Sequence, residues 1–139
     1  MNGGLNVKEK LFSWGCCEDD MCCLCNRETE TAEQLFLACE YSCRVSNEVE
    51  RWIGKAFPTV NGLISGNRKQ MQWKVLTAIL NAVYYNVWMQ RNNARVNEMI
   101  LRPELVAKQT RDAVMKRIKS KAGRISDQHV LLWMRNIGV

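Results

Sequence analysis

Residues Asp19–Cys43 read DDMCCLCNRETETAEQLFLACEYSC and hold five of the chain's seven cysteines. Cys22 and Cys25 form a Cys-x2-Cys pair, a spacing that lets two thiolates converge on one ion across a tight turn. Cys39 and Cys43 form a Cys-x3-Cys pair, and residues four apart on a helix share a face. Thirteen residues separate the two pairs. The chemistry this spacing offers is a tetrahedral four-thiolate site, of which zinc is the usual occupant. The alternative is a set of buried thiols with no ion, the common fate of free cysteine. Cys16, Cys17 and Cys23 are left outside the pattern and fit that role. A redox reading of Cys-x2-Cys is weaker, because Asp19, Asp20 and Glu28 surround it and anionic neighbours disfavour a reactive thiolate.

Working outward, the first fourteen residues close with VKEKLFSW, a short amphipathic segment that stops at Gly15. TAEQLFLACEYSCRVSNEVERWIG predicts two short helices or one bent helix, with Leu35, Phe36, Val45, Val49, Trp52 and Ile53 at helical spacing and Gly54 as the stop. A small hairpin around the Cys-x2-Cys pair is the one expected departure from helix. KAFPTVNGLISGNRKQ, punctuated by Pro58, Gly62 and Gly66, reads as a linker. The strongest helix follows, about 68–97. Its apolar face is built from Met71, Val75, Ile79 and Ala82, with polar Asn86 in the same row, and from Trp73, Leu76, Leu80, Val83 and Val87 beside them. Tyr84, Tyr85 and Trp88 extend that face. Pro103 suits the first turn of the next helix, predicted over 103–121 with Gly123 beyond its end. Its apolar positions are Leu105, Val106, Ala113, Val114 and Ile118. A last short helix begins after Ser126 or Asp127, either of which suits its cap. The predicted fold class is mainly α: a small cysteine-knuckle lobe at 1–60 packed with a long-helix helical lobe at 61–139.

Composition narrows the function classes. The 139 residues are 47% hydrophobic and 24% charged, which favours a packed core over disorder. No apolar run approaches the roughly 18–20 residues that span a bilayer, and the N-terminus lacks the pattern of a signal or transit peptide. An intracellular protein, nuclear or cytoplasmic, is the expectation, with no membrane association and no disulfide framework. The chain has one histidine, His129, and no Gly-x-Ser-x-Gly or Gly-rich phosphate loop. Asp19 and Asp20 alone do not make a two-metal site. Neither an enzyme nor a small-molecule substrate is expected.

Charge is divided unevenly. Residues 1–60 carry six Lys/Arg against ten Asp/Glu, whereas 61–139 carry fourteen against four, so net charges of −4 and +10 lie within one chain of +6. A basic half is what a phosphate-binding surface requires, although solvated helix faces produce the same count. Lys116 and Arg117 lie in the Lys/Arg-rich segment 108–124. Arg91 and Arg95 lie one turn apart beside Trp88, where an arginine can meet a phosphate while the ring stacks on a base. The competing reading of Arg91 is packing within the core.

Several spaced motifs together resemble one family. LFSWG (11–15), the cysteine run, ETAEQLFLAC (30–39), VERWIG (49–54) and VYYNVWMQRNNARV (83–96) are similar to the zinc-binding domain that follows the reverse transcriptase in plant non-LTR (LINE-type) retrotransposons. The resemblance fades after about residue 120. It implies metal ligands at Cys22, Cys25, position 34 and Cys39. Position 34, a histidine in that family, is Gln34 here. Cys23 replaces the usual proline, and Ser46 stands where a tryptophan is usual. Two outcomes follow for the site: Cys43 supplies the missing ligand, giving Cys22, Cys25, Cys39 and Cys43 around zinc, or the site is weak or empty. What the resemblance implies for function is non-catalytic association with nucleic acid, RNA favoured, through Arg91, Arg95, Lys116 and Arg117. The rival readings are a protein-interaction module, with a protein partner or a homodimer through the long helix, and a relic without activity.

Overall fold

The computed structural model describes residues 5–57, 71–121 and 128–137. The 60/61 lobe boundary, most of the linker with Pro58, Gly62 and Gly66, and the caps at Gly123, Ser126 and Asp127 lie outside the described residues. So does the side chain of His129.

Among the described residues the secondary structure is helical: α1 (Lys8–Ser13), a π-helical turn (Gln34–Ala38), α2 (Glu40–Ile53), α3 (Met71–Asn97), α4 (Pro103–Lys121) and α5 (Gln128–Asn136). The only β pairing among them is an antiparallel bridge between Met21 and Thr29, the hairpin that brackets the Cys-x2-Cys turn. α1 ends where Gly15 takes φ +73°, and α2 ends where Gly54 takes φ +68°. Both positions lie in the left-handed region that glycine occupies without a Cβ penalty. α4 begins at Pro103, with the Leu105 and Val106 amides both donating to the Arg102 carbonyl at 3.0 and 3.2 Å.

The core is one apolar cluster shared by the cysteine region and the helical body. Leu35, Phe36, Val45, Val49 and Ile53 from the N-terminal part meet Val75, Ile79, Val83 and Val87 of α3 and Val106 and Val114 of α4. Each fully buried aliphatic side chain of this kind contributes about 1.5–3 kcal/mol. α2 packs along α4, and α3 packs against both. Asn86, the polar member of the α3 apolar row, donates to Thr110 Oγ1 at 2.9 Å, and Thr110 donates to the Val106 carbonyl at 2.9 Å. The polar pair is therefore satisfied inside the α3–α4 seam. Tyr41 OH donates to the Leu101 carbonyl at 2.5 Å, and Trp52 Nε1 donates to the Ile137 carbonyl at 2.8 Å, tying α2 to the α3–α4 connection and to the end of α5. Leu105 and Ala113, expected in the core, are exposed; Ala107 and Thr110 take the inward positions. No helix of the described residues is long and apolar enough to cross a membrane.

Candidate metal centre

The Cys-x2-Cys turn is closed by its own backbone. The Asn26 amide donates to the Cys22 carbonyl and the Cys22 amide to the Glu28 carbonyl, both at 2.8 Å. Asn26 takes φ +54°, a left-handed conformation that asparagine tolerates better than most residues. The turn thereby points Cys22 and Cys25 toward the π-helical turn that leads into α2. There the Gln34 amide donates to Thr31 Oγ1 at 3.0 Å, and the Cys39 amide closes the wide turn on the Gln34 carbonyl at 2.6 Å. π turns inside helical segments often mark functional positions.

Three sulfurs converge. The Sγ atoms of Cys22, Cys25 and Cys39 all lie within 4.8 Å of one another, with Cys22 and Cys39 buried and Cys25 half-buried. Cys22 Sγ to Cys39 Sγ is 3.9 Å. A tetrahedral zinc with about 2.3 Å bonds to sulfur needs an S···S edge of about 3.8 Å. The three thiols therefore fit such an ion with displacements of an ångström or less. Without an ion, the Cys22 thiol donates to the Cys39 sulfur. That bond, reinforced by burial, holds the Cys22 thiol well above the usual range, and accepting it pulls Cys39 down.

Cys43 does not join them. It lies outside the converging group, and its thiol faces the Leu37 carbonyl at 3.4 Å. The physical reason is the break at Cys39, which has extended backbone (φ −64°, ψ 126°) and caps α2 rather than belonging to it. Cys39 and Cys43 therefore do not share a regular helix face, and the four-cysteine set is not assembled. Gln34 instead occupies the remaining side of the cluster. Its side chain is buried, its Nε2 lies 3.4 Å from Cys25 Sγ, and its Oε1 has no hydrogen-bond partner. Of the remaining cysteines, Cys17 and Cys23 are half-buried and Cys16 is exposed rather than buried.

Of the two readings of Arg91, packing within the core is the one the structure supports, and the phosphate contact is the one it corrects. Arg91 is 1% exposed and beyond the reach of a phosphate. Its Nε and Nη2 donate to Glu30 Oε1 at 2.9 and 2.7 Å, and Nη2 also donates to the Asn6 carbonyl at 2.9 Å. The guanidinium lies 4.6 Å from the Trp88 ring centroid, so the arginine–aromatic pairing is internal. Glu30 also accepts the Lys8 backbone N–H at 2.9 Å. The knuckle is thus locked to α3 by a buried ion pair. Glu30 carries no local mark of burial in the sequence. The signal that pointed to it was Arg91 itself, which continues the buried row Ile79, Val83, Val87 and so needs a buried anion.

Asp19 accepts from Lys8 Nζ at 2.6 Å, and that bond holds its carboxyl below the usual carboxylate range. It serves the knuckle as a surface partner. Arg95, Lys116 and Arg117 are all exposed. Arg117 lines a groove of about 360 Å³ between α3 and α4 together with Lys74 and Lys121; Val75, Ile79, Val114 and Ile118 contribute to its apolar walls. Arg95 and Lys116 do not line it.

Residues 1–45 match the family model described as zinc-binding in reverse transcriptase. No curated protein and no solved structure matches the chain. The first third of the chain is accordingly similar to the zinc-binding domain of reverse transcriptases, and Cys22, Cys25 and Cys39 are the thiols that converge within it and could hold a metal ion.

Proposed function

We propose that the chain is a non-catalytic, nucleic-acid-associated module, with RNA the favoured class, working in the nucleus or cytoplasm and descended from a plant non-LTR retrotransposon. The observation that carries the reading is the groove between α3 and α4. Lys74, Arg117 and Lys121 line it, and among the described residues no carboxylate does. A single strand laid there would meet cations for its phosphates and apolar side chains for its bases. By contrast, Arg51, Lys108 and Arg111 share their depression with Glu48 and Glu104, which offset their charge. In this reading zinc held by Cys22, Cys25 and Cys39 fixes the knuckle, a structural role that can supply on the order of 10 kcal/mol of folding free energy.

The test is binding of a labelled single-stranded RNA to the full chain, by fluorescence anisotropy. Affinity that falls steeply between about 50 and 200 mM salt supports the reading. Binding no better than that of a neutral control protein contradicts it. A second reading, a protein-interaction module, is favoured by Val96, Met99, Ile100 and Leu105, large apolar side chains exposed where α3 passes to α4. Association through that patch would be salt-tolerant and would weaken on Met99→Asp.

A further inference from the structure

We infer that Gln34 supplies the fourth donor of the metal centre through its side-chain carbonyl oxygen, making a three-thiolate, one-amide site. This rests on the reading that Cys22, Cys25 and Cys39 bind a divalent ion of the zinc type. Such an ion takes four ligands in a tetrahedron. Among the described residues no other Cys, His, Asp or Glu brings a ligand atom into the group, and Cys43 is turned to the Leu37 carbonyl.

The Gln34 amide has the required place and an unmet need. It is 7% exposed and reaches the cluster at Cys25 Sγ, 3.4 Å from Nε2, while Oε1 is buried with no partner. A buried oxygen left without a partner costs about 1–3 kcal/mol. A half-turn about the last side-chain bond exchanges the amide nitrogen and oxygen, which are nearly the same size. With protonated thiols the N–H group facing sulfur is the favourable arrangement. With a cation among the sulfurs, the oxygen is favoured. A tetrahedral edge between such an oxygen and a thiolate sulfur is about 3.6 Å, close to the separation already present.

Charge supports the exchange. An amide is neutral, like the imidazole it replaces, so three thiolates around a divalent ion leave the same formal charge of −1 in either case. A carboxylate at this position would leave one more buried negative charge to be compensated. The backbone holds the donor in register, because Gln34 and Cys39 are joined across the π turn by the 2.6 Å bond from the Cys39 amide to the Gln34 carbonyl. Amide oxygen is a harder and weaker donor to zinc than imidazole. The fourth position is therefore exchangeable, and added imidazole displaces Gln34 while the thiolates hold the ion.

The experiment titrates cobalt(II) into the full chain under reducing, oxygen-free conditions, comparing the parent with Gln34→His and Gln34→Ala. It also follows the assigned Gln34 side-chain amide resonance as zinc is added to the parent, a readout that needs no variant. The expected order of affinity is Gln34→His above parent above Gln34→Ala, each step about tenfold, or about 1.4 kcal/mol. Imidazole should shift the visible bands of Gln34→Ala at lower concentration than those of the parent, and zinc should move the Gln34 resonance. Parent-like affinity and spectrum in Gln34→Ala, with an unmoved resonance, would overturn the inference and leave the three-thiolate centre standing. Binding by Gln34→His alone would also overturn it. No binding by any of the three would remove the zinc reading itself.

Discussion

Arg91 and Glu30, 61 residues apart in the chain, form an ion pair in which both side chains are withdrawn from solvent, at 2.7 Å between Nη2 and Oε1. The pair joins the residue that follows the Met21–Thr29 bridge to the last buried turn of α3. A pair of this kind adds little net stability over an apolar replacement, yet leaving one partner alone is costly. Its value lies in fixing which surface of α3 the cysteine knuckle meets.

Arg91→Met should therefore destabilise the chain by about 3–5 kcal/mol, because Glu30 is left as an uncompensated buried charge. Glu30→Gln combined with Arg91→Met should cost less than the sum of the two single changes. Urea denaturation of the four proteins measures this. Additive costs would show that the two side chains do not act as a pair.

Raising the pH should weaken the fold through Tyr41. Burial, with smaller contributions from the nearby Cys39 and Glu104, pushes its phenol up to about 12. A group whose acid form is favoured in the folded state stabilises fully below its unfolded pKa, near 10. That stability is lost as pH rises toward the folded value. Between pH 10 and 12 the expected loss is about 1.4 kcal/mol per pH unit. Tyr41→Phe should lack this component. Denaturation of parent and variant at pH 9 and pH 11 checks it, and equal pH dependence in the two would refute it.

Much of this architecture was legible in the sequence, and the misreadings have local causes. Periodicity and Pro103 located α4, and the apolar row located the buried face of α3, since both depend on spacing along one helix. Spacing alone groups Cys22, Cys25 and Cys39 with Cys43, and it is the family resemblance that sets Cys22, Cys25 and Cys39 together with position 34. Cys43 shares a face with Cys39 only on a continuous helix, whereas the π turn ends at an extended Cys39. The sequence leaves Arg91 open between a phosphate ligand and a core residue because its partner lies 61 residues away, a distance no periodicity spans. The i, i+4 row that ends at Arg91 did carry the warning. The Gln34 substitution was visible, but the burial of its amide against Cys25 depends on the three-dimensional turn.

Changing Lys74, Arg117 and Lys121 together to Gln should weaken RNA binding and flatten its salt dependence. Each lost contact to a single strand removes about 0.7 from the slope of log affinity against log salt, so three remove about 2. Changing Lys108 and Arg111, which lie beside Glu48 and Glu104, should have a smaller effect. An unchanged slope in the triple variant would place the contact surface elsewhere.

The metal centre is tested most directly by elemental analysis of the chain purified under reducing conditions, alongside Cys39→Ser and Cys43→Ser. The account predicts one zinc per chain in the parent, retention in Cys43→Ser and loss in Cys39→Ser. A parent without bound metal, or zinc lost from Cys43→Ser and kept in Cys39→Ser, would contradict it.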